Sequence, residues 1–230
     1  MIKASDIMRR AATQLIDEDH IRWPLPELAD WIGEAVSEIV KAKPSASSRS
    51  MNLSLVAGTK QKLPTDQRIM LLLDISRNVE GTGGAGGRMI KPVTRDSLDA
   101  LEPRWHDPAQ VPFKKEVRHF IYDATVPLEY SCYPGNDGTG MVEANVSYLP
   151  PSVAALIGTA DPTDIATWNV SIGLSDEYQA PVLDYVMYRA FSKEEPASTP
   201  GRAAGHYQVF ATSVGIQVQV EQSNSPNRRR

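Results

Sequence analysis

Cysteine is nearly absent from the sequence, since Cys132 is the only one among 230 residues. A single cysteine excludes an intramolecular disulfide and every zinc or iron–sulfur site built from several cysteines, which indicates synthesis in a reducing cytoplasm. Long apolar runs are also missing, because no stretch approaches the roughly 18–20 residues that span a bilayer. The opening residues, MIKASDIMRR, do not form a signal peptide. We therefore expect no cofactor, no metal site and no membrane segment.

Catalytic motifs are equally scarce. His106 with Asp107, and His119 with Asp123, would suit a base and its orienting carboxylate, but no Gly-x-Ser-x-Gly elbow or HExxH helix accompanies them. Cys132 lies on a predicted strand and not at a helix N-terminus, so a packed structural cysteine is favoured over a nucleophile. The sequence therefore predicts a protein that is not an enzyme.

Glycine is concentrated in one segment, Gly81-Thr82-Gly83-Gly84-Ala85-Gly86-Gly87. No Lys-Ser/Thr pair follows it and the next residues begin a strand, which argues against a phosphate-binding loop. An exposed hairpin tip and a loop that becomes ordered on contact with a partner are the two remaining interpretations. We predict a flexible contact loop whose freedom comes from Gly81, Gly83, Gly84, Gly86 and Gly87.

Negative charge is in slight excess. The 24 Lys and Arg residues against 28 Asp and Glu give a net charge of −4, and three of the positive charges are Arg228, Arg229 and Arg230. Without these three the net charge is −7. An acidic body argues against a general nucleic-acid binder, which needs a basic face. The basic C-terminal residues suit docking on an acidic partner.

Apolar periodicity predicts two helices in the first part of the chain. The first begins at Ser5, a good N-cap, and ends near Asp17. The second begins at Pro26, which suits a first helical turn, and stops at Pro44. Because the link between them is short, an αα-hairpin is expected.

Two more helices are predicted near the other end. One is capped by Ser175 and carries Pro181, which should kink or delay it. The last runs from about Gly201 through Val214, and the chain beyond it changes to a two-residue alternation.

Between the helices the sequence has the two-residue period of β-strands. Alternating runs separated by turn residues predict a hairpin over 51–63 and an antiparallel meander over 117–148 with a turn at Pro134–Gly138. A nearly continuous apolar run predicts a strand over 69–75, and another strand is predicted over 89–93. The expected fold is α+β, with terminal α-helices forming a helical bundle and an inserted antiparallel β domain. The expected parts are an N-terminal helical hairpin (1–44), the β domain (45–150), the C-terminal helices (151–214) and an extended tail (215–230).

Aromatic residues are few, at 7% of the chain, yet several lie on the predicted terminal helices. Core packing explains them more simply than a ligand site. Arg189 lies on the same face and needs a carboxylate partner, for which Asp30, Glu34 and Asp184 are candidates. The residues assigned to packing are Trp23, Trp31, Tyr185, Tyr188, Arg189, Tyr207 and Phe210.

Two stretches of the sequence resemble a known family. The first is RRAATQLIDEDHIRWPLPELADWIGEAVSEIVKAKP with LVAGTKQKLP after it, and the second is LSDEYQAPVLDYVMYRAFSKE with RAAGHYQVFATSVG after it. The order and spacing of their short motifs resemble the head-to-tail adaptor proteins of tailed bacteriophages. These motifs include Arg22-Trp23, Trp31-Ile32, Val56-Ala57-Gly58-Thr59, Leu183-Asp184-Tyr185 and Tyr188-Arg189-Ala190.

The resemblance implies a structural virion protein of the neck or tail region, made in the host cytoplasm. Its copies, commonly twelve, would form a ring beneath the portal protein and carry a tail nozzle, stopper or tail-tube protein. DNA would pass through the ring without specific binding, and an acidic body around the channel would repel it. The helical part resembles the ring-forming bundle of such adaptors, so the aromatic residues assigned to packing could also join ring subunits.

The sequence departs from the family pattern at Pro181 and in its longer C-terminal tail. We predict that Ile216, Val218 and Val220 add a strand to the lower edge of the portal, while Arg228 to Arg230 meet acidic groups there. The alternative function is a free-standing carbohydrate- or protein-binding module with a β recognition domain. Ligand binding without a ring would distinguish that alternative.

Overall fold

The computed structural model describes residues 1–80, 85–193 and 200–224, and at residues 85, 200 and 216–224 the backbone alone. The fold combines α-helices with two sheets whose strands are mostly antiparallel. The chain divides into two compact units. The helical unit comprises residues 1–47 and 149–230, and the β unit comprises residues 48–148.

Five of the six α-helices in the described residues belong to the helical unit. They are α1 (Ala4–Leu15), α2 (Leu25–Ala42), α4 (Val153–Ile157), α5 (Gln179–Lys193) and α6 (Pro200–Asn224), while α3 (Arg95–Leu101) belongs to the β unit. Within the described part of the chain, none of these helices is long and apolar enough to cross a membrane.

The first two helices bury the faces that their periodicity predicts. On α2, the residues Leu28, Ile32 and Ile39 are almost completely buried. The start of α1 differs from the prediction: Ser5 lies inside the helix and is buried, and Lys3 occupies the N-cap position without a side-chain cap. The segment before α1 instead pairs with the chain around residue 171, where the Ala4 N–H donates to the Val170 carbonyl at 3.0 Å. Tertiary pairing therefore replaces the predicted cap.

Asp17 organises the link between α1 and α2. Its carboxylate accepts hydrogen bonds from the backbone N–H groups of Ile21, Arg22 and Trp23, at 3.1, 3.1 and 2.9 Å. Burial opposes ionisation of this side chain, but the three donors outweigh it and hold the pKa of Asp17 below its usual value. The carboxylate thus fixes the chain that leads into α2.

Pro181 delays the fifth helix and does not kink it. Residues Asp176–Tyr178 form a 3-10 turn, and α5 begins after it at Gln179. Pro181 is therefore the third residue of α5, in the first turn, where backbone N–H groups have no partner within the helix. Beyond it, α5 contacts α1, α2 and α6.

The predicted strand at 216–220 is wrong, because the backbone of α6 remains helical as far as Asn224. Extending an existing helix adds a hydrogen bond per residue without a new nucleation cost. A two-residue alternation over six residues does not overcome that advantage. An extended conformation is therefore excluded for residues 215–224, while Arg228, Arg229 and Arg230 lie outside the described residues.

The β unit contains two four-stranded sheets. Their strands are β1 (Ser48–Ser54), β2 (Gly58–Lys62), β3 (Ile69–Glu80), β4 (Ala85–Met89), β5 (Lys91–Pro92), β6 (His119–Tyr122), β7 (Glu129–Asn136) and β8 (Met141–Tyr148). The first sheet has the order β1-β8-β3-β4 and the second has the order β2-β7-β6-β5. All pairs are antiparallel except β5 with β6.

Both sheets contribute to one hydrophobic cluster. Leu72 and Val146 come from the first sheet, and Phe120, Tyr130 and Cys132 come from the second. All five side chains are almost completely buried. The core of the β unit therefore lies between the two sheets.

Successive strands in this unit often belong to different sheets, so the predicted hairpin over 51–63 is wrong. β1 pairs with β8, whereas β2 pairs with β7. Gln61 stabilises the corner between them: its side chain accepts from the Val56 N–H at 2.8 Å and donates to the carbonyls of Val56 and Gly58 at 2.8 and 3.1 Å. A buried side-chain amide thus satisfies backbone groups that a hairpin ladder would have paired.

The predicted meander breaks at Asn136 for a similar reason. β6 and β7 are antiparallel neighbours, but β8 joins the other sheet, and Pro134 to Asn136 belong to strand β7 instead of a turn. The Asn136 amide donates to the carbonyls of Lys114 and Lys115 and accepts from the N–H groups of Gly138 and Gly140. This fully buried side chain holds the corner.

A third corner lies at Ile90, where a single strand over 89–93 was predicted. The Ile90 N–H donates to Ser76 in the first sheet, and the next N–H, of Lys91, donates to Arg118 beside the second. Gly86 and Gly87 belong to strand β4 rather than to a flexible loop. They extend the edge of the first sheet, whereas Gly81, Gly83 and Gly84 lie outside the described residues.

Candidate assembly interface

Four aromatic rings on α5 and α6 form a contiguous cluster, which we call the aromatic cluster: Tyr185, Tyr188, Tyr207 and Phe210. Tyr185 meets Phe210 edge-on with ring centroids 5.0 Å apart, and Tyr188 lies 5.0 Å from Tyr207. Such tilted and edge-to-face pairs add a small stabilisation beyond area burial. The cluster joins the two helices along their shared face.

The aromatic cluster extends from the core to the surface. Phe210 is only 5% exposed and Tyr185 9%, whereas Tyr207 is 48% exposed. Trp23 and Trp31, which the sequence grouped with these rings, are both buried. The two tryptophans therefore act in the core, and Tyr207 presents aromatic surface to solvent in the described protein.

Glu34 of α2 is the partner that Arg189 requires. The Arg189 Nε lies 3.4 Å from the Glu34 Oε2, and the Tyr185 hydroxyl donates to the same oxygen at 3.3 Å. Burial, reinforced by the nearby Glu34 charge, raises the pKa of Tyr185 to about 12. The tyrosine therefore stays protonated and keeps donating at neutral pH. One of the three predicted carboxylate candidates is thus selected.

Another candidate, Asp184, has a different partner that the sequence analysis missed. The Nδ1 of His206 on α6 lies 2.8 Å from its Oδ1, and the His206 ring stacks on Phe191 at 5.6 Å. These residues line an open groove of about 550 Å³, which also contains Met187, Arg202 and Val209. In the sequence, this contact could have been indicated only by the positions of Asp184 and His206 on successive helices. Using those positions requires knowing how α6 packs against α5.

Cys132 and His106, two of the residues considered for catalysis in the sequence analysis, make structural contacts. Burial raises the pKa of the Cys132 thiol to about 12, so the side chain is a poor nucleophile. His106 stacks on Trp105 and shares a 2.6 Å hydrogen bond with Thr59 instead of pairing with Asp107. Within the ranges that the structure describes, no group of three or more His, Cys, Asp or Glu residues could hold a metal ion.

The comparison with protein families matches almost the whole chain. The model described as "SU10 adaptor protein" covers residues 2–230. The chain belongs to the SU10 adaptor family. This is a family of phage head-to-tail adaptor proteins, so the resemblance seen in the sequence is confirmed. No curated protein matches the chain.

As a member of the SU10 adaptor family, the chain has its functional surfaces in contacts with other proteins. The aromatic cluster consists of residues that the sequence assigned to packing. The groove lined by Asp184 and His206 lies on the same two helices. The predicted docking residues Ile216, Val218 and Val220 lie on the last part of α6. The structure brings Tyr185, Tyr188, Tyr207 and Phe210 together, and it places Trp23 and Trp31 separately in the core.

Proposed function

We propose that the protein is a structural, non-enzymatic virion protein that assembles as a ring, of about twelve copies, between the portal and the tail. The observation that carries this proposal is the match of the SU10 adaptor family over residues 2–230. One side of the ring contacts the portal protein. The other contacts a tail nozzle, stopper or tail-tube protein, and the ring lines the channel through which DNA leaves the head.

The helices of the helical unit form the bundle that makes the ring. A closed ring needs two different, complementary faces on each subunit. The aromatic cluster supplies one such face, because its buried rings fix α6 against α5 while the half-exposed Tyr207 is available to a neighbour. A stable junction should bury at least about 1,000 Å² in total.

The charge distribution supports a passive channel. The net charge is −4, and it would be −7 without Arg228, Arg229 and Arg230. A wall of acidic subunits repels the phosphate backbone, so DNA slides through without being retained.

The segment after Gly215 docks on the portal in this proposal. It combines Ile216, Val218 and Val220 with the three C-terminal arginines, which meet acidic groups on the portal. Charge complementarity of this kind speeds association and sets orientation. Since α6 is helical to Asn224, the docking element up to that residue is a helix and not an added strand. On a helix, positions 216 and 220 share a face and position 218 does not, so Ile216 and Val220 are the pair that docks together.

The test is mass photometry of the purified protein, alone and mixed with portal rings of the same phage. A defined ring on the portal supports the proposal. A protein that stays monomeric and shows no affinity for the portal contradicts it and favours a free-standing binding module.

A truncation after Gly215 tests the docking segment separately. The truncated protein should keep the thermal unfolding of the full chain but lose portal binding. A full-length variant with Arg228, Arg229 and Arg230 changed to Gln is the matched control for charge alone. Unimpaired portal binding by the truncated protein would exclude this segment as the docking element.

A further inference from the structure

The first sheet of the β unit has two edges that no other described strand covers. β1 pairs with β8 on one side and β4 pairs with β3 on one side, and in the described part of the chain neither has a second partner. An edge strand presents unpaired backbone N–H and C=O groups that can pair with another chain.

The β1 edge lacks the devices that usually prevent such pairing. It is seven residues long, contains no proline, and pairs with β8 in an unbroken register from Ser48 to Ser54. Its one charged side chain, Arg49, is held by Gln67 at 2.8 Å and lies over the Tyr148 ring. The edge is therefore regular, unbulged and without a free charge that would repel a neighbouring strand.

The direction of the unpaired groups follows from one hydrogen bond. The Leu55 N–H, directly after β1, donates to the Gly140 carbonyl at 2.9 Å and so points toward β8. Because backbone groups alternate along an antiparallel strand, those of Ser50, Asn52 and Ser54 point away from β8. The side chains of the same three residues are exposed, so the outward edge is open.

The second sheet provides a contrast within the same unit. Its β2 edge is interrupted by a register shift and carries the exposed Lys60 and Lys62. Its other edge, β5, consists of two residues, one of which is Pro92. Lysines, bulges, proline and short strands are the usual protections against edge pairing. Among the described edge strands, β1 alone lacks all of these protections, because β4 is five residues long, pairs with β3 across a register shift and carries the exposed Arg88. The β1 edge is therefore the one most open to pairing.

Strand direction fits β4 of a second copy as the partner edge. The four strands β1-β8-β3-β4 alternate in direction, so β1 and β4 at the two edges run oppositely. If a second copy continues the sheet, its β4 lies antiparallel to β1. This contact uses two different edges and is therefore head-to-tail, the kind that closes into a ring. Gly86 and Gly87 lack side chains in the middle of β4, and the exposed Arg88 and Met89 follow them.

We infer that the first sheet continues from subunit to subunit, with β1 of one copy pairing with β4 of the next. This inference rests on the proposed ring, and it adds a second contact between neighbouring subunits to the one made by the aromatic cluster. Four strands per copy at about 4.8 Å spacing give a closed sheet of about 230 Å circumference for twelve copies, about 75 Å across if the strands follow the ring axis. Such a closed sheet is wide enough to surround a DNA duplex.

Asn52→Pro tests the junction, with Asn52→Ala as its matched control. Proline removes the outward N–H and leaves the β1–β8 ladder intact, whereas alanine retains that N–H. Both variants should remain folded by circular dichroism. On portal rings, Asn52→Ala should assemble normally, and Asn52→Pro should require about tenfold more protein.

Thiol cross-linking provides a second readout, because the native Cys132 is buried. Asn52→Cys combined with Met89→Cys, treated with a short bismaleimide on assembled rings, should give a ladder of covalent oligomers. Asn52→Cys with Leu101→Cys is the control, since Leu101 is 80% exposed and belongs to α3, not to either edge strand.

The outcomes separate this inference from the proposed function. Rings that form with Asn52→Pro as readily as with Asn52→Ala, or that give no ladder, overturn the shared sheet and leave the adaptor function intact. Dimers from Asn52→Cys alone would indicate a β1–β1 contact and also overturn it. If the unmodified protein forms no ring on the portal, both proposals fail.

Discussion

The hydroxyl of Tyr185 on α5 donates a 3.3 Å hydrogen bond to the carboxylate of Glu34 on α2. The same carboxylate oxygen lies 3.4 Å from the Arg189 guanidinium. One acidic side chain therefore joins the first segment of the helical unit to the second, across more than 150 positions of sequence. Glu34 and Arg189 are 42% and 39% exposed, so solvent weakens the ion pair. The Tyr185 hydrogen bond therefore supplies part of the stabilisation that Glu34 provides.

Replacing Glu34 should weaken this link measurably. We expect Glu34→Ala to lower the free energy of unfolding by about 1 kcal/mol, since it removes the carboxylate that both Tyr185 and Arg189 contact. Glu38→Ala is the matched control, because Glu38 lies on the same helix and forms an exposed i,i+3 ion pair with Lys41. Denaturant unfolding should show a change within about 0.5 kcal/mol for this control. Equal losses in the two variants would contradict a special role for Glu34.

Asn136 should be among the most sensitive residues of the β unit. Its amide makes four hydrogen bonds while fully buried. Asn136→Ala leaves those backbone groups unsatisfied, and we expect a loss of about 2–4 kcal/mol. Asn52→Ala, at an exposed position of β1, should change stability by less than about 0.5 kcal/mol.

Gly140 depends on the same amide. A Cβ at this position would collide with the Asn136 side chain and with the Lys115 carbonyl. Gly140→Ala should therefore destabilise the β unit by about 1–3 kcal/mol, as overpacking does in other cores. Thermal unfolding of the two variants measures both effects, and a neutral Gly140→Ala would show that the corner can relax.

These corners also explain which parts of the fold the sequence predicts. Apolar periodicity identifies α2 and α5 because a helix face needs no information beyond local spacing. Alternation likewise identifies the strands near Leu53 and Val146, and a continuous apolar run identifies the strand near Leu72. Which strands pair depends on Gln61 and Asn136, whose side chains satisfy distant backbone groups, and nothing in the local pattern distinguishes them from ordinary turn residues.

The candidate interface was predictable to a similar extent. The sequence places Tyr185, Tyr188, Tyr207 and Phe210 on two helices, and their common cluster follows from helical spacing. The difference in exposure between Tyr207 and Phe210 depends on how α6 lies on α5, which spacing alone does not determine. The contact between Asp184 and His206 was missed for the same reason.

Cys132 should report on unfolding of the β unit and make it sensitive to alkali. Burial raises the thiol pKa from 9.0 to about 12, so the folded protein holds the proton that the unfolded chain loses. This contribution to stability is complete below pH 9 and is lost as the pH rises from about 9 to about 12. Burial also raises the pKa of Tyr130, which acts in the same direction.

The measurement combines thiol labelling with unfolding at several pH values. At pH 8 the native thiol should react with iodoacetamide at least about 100-fold more slowly than the unfolded chain. Cys132→Ala should lose stability less steeply than the unmodified protein between pH 9 and 11. Rapid labelling of the native protein would mean that the core between the sheets opens readily.

Tyr207 and Phe210 form a matched pair that separates folding from assembly. They lie on the same helix with ring centroids 6.4 Å apart, but Tyr207 is 48% exposed and Phe210 5%. Phe210→Ala removes a buried ring and should cost about 3–5 kcal/mol. Tyr207→Ala removes mainly its contacts with Tyr188 and Phe210, and should cost about 1 kcal/mol.

If Tyr207 packs against the neighbouring subunit, the Tyr207→Ala variant remains folded and assembles on portal rings at least about tenfold more weakly, as expected for a central interface tyrosine. Normal assembly of Tyr207→Ala in mass photometry would place the ring junction elsewhere on the helical unit.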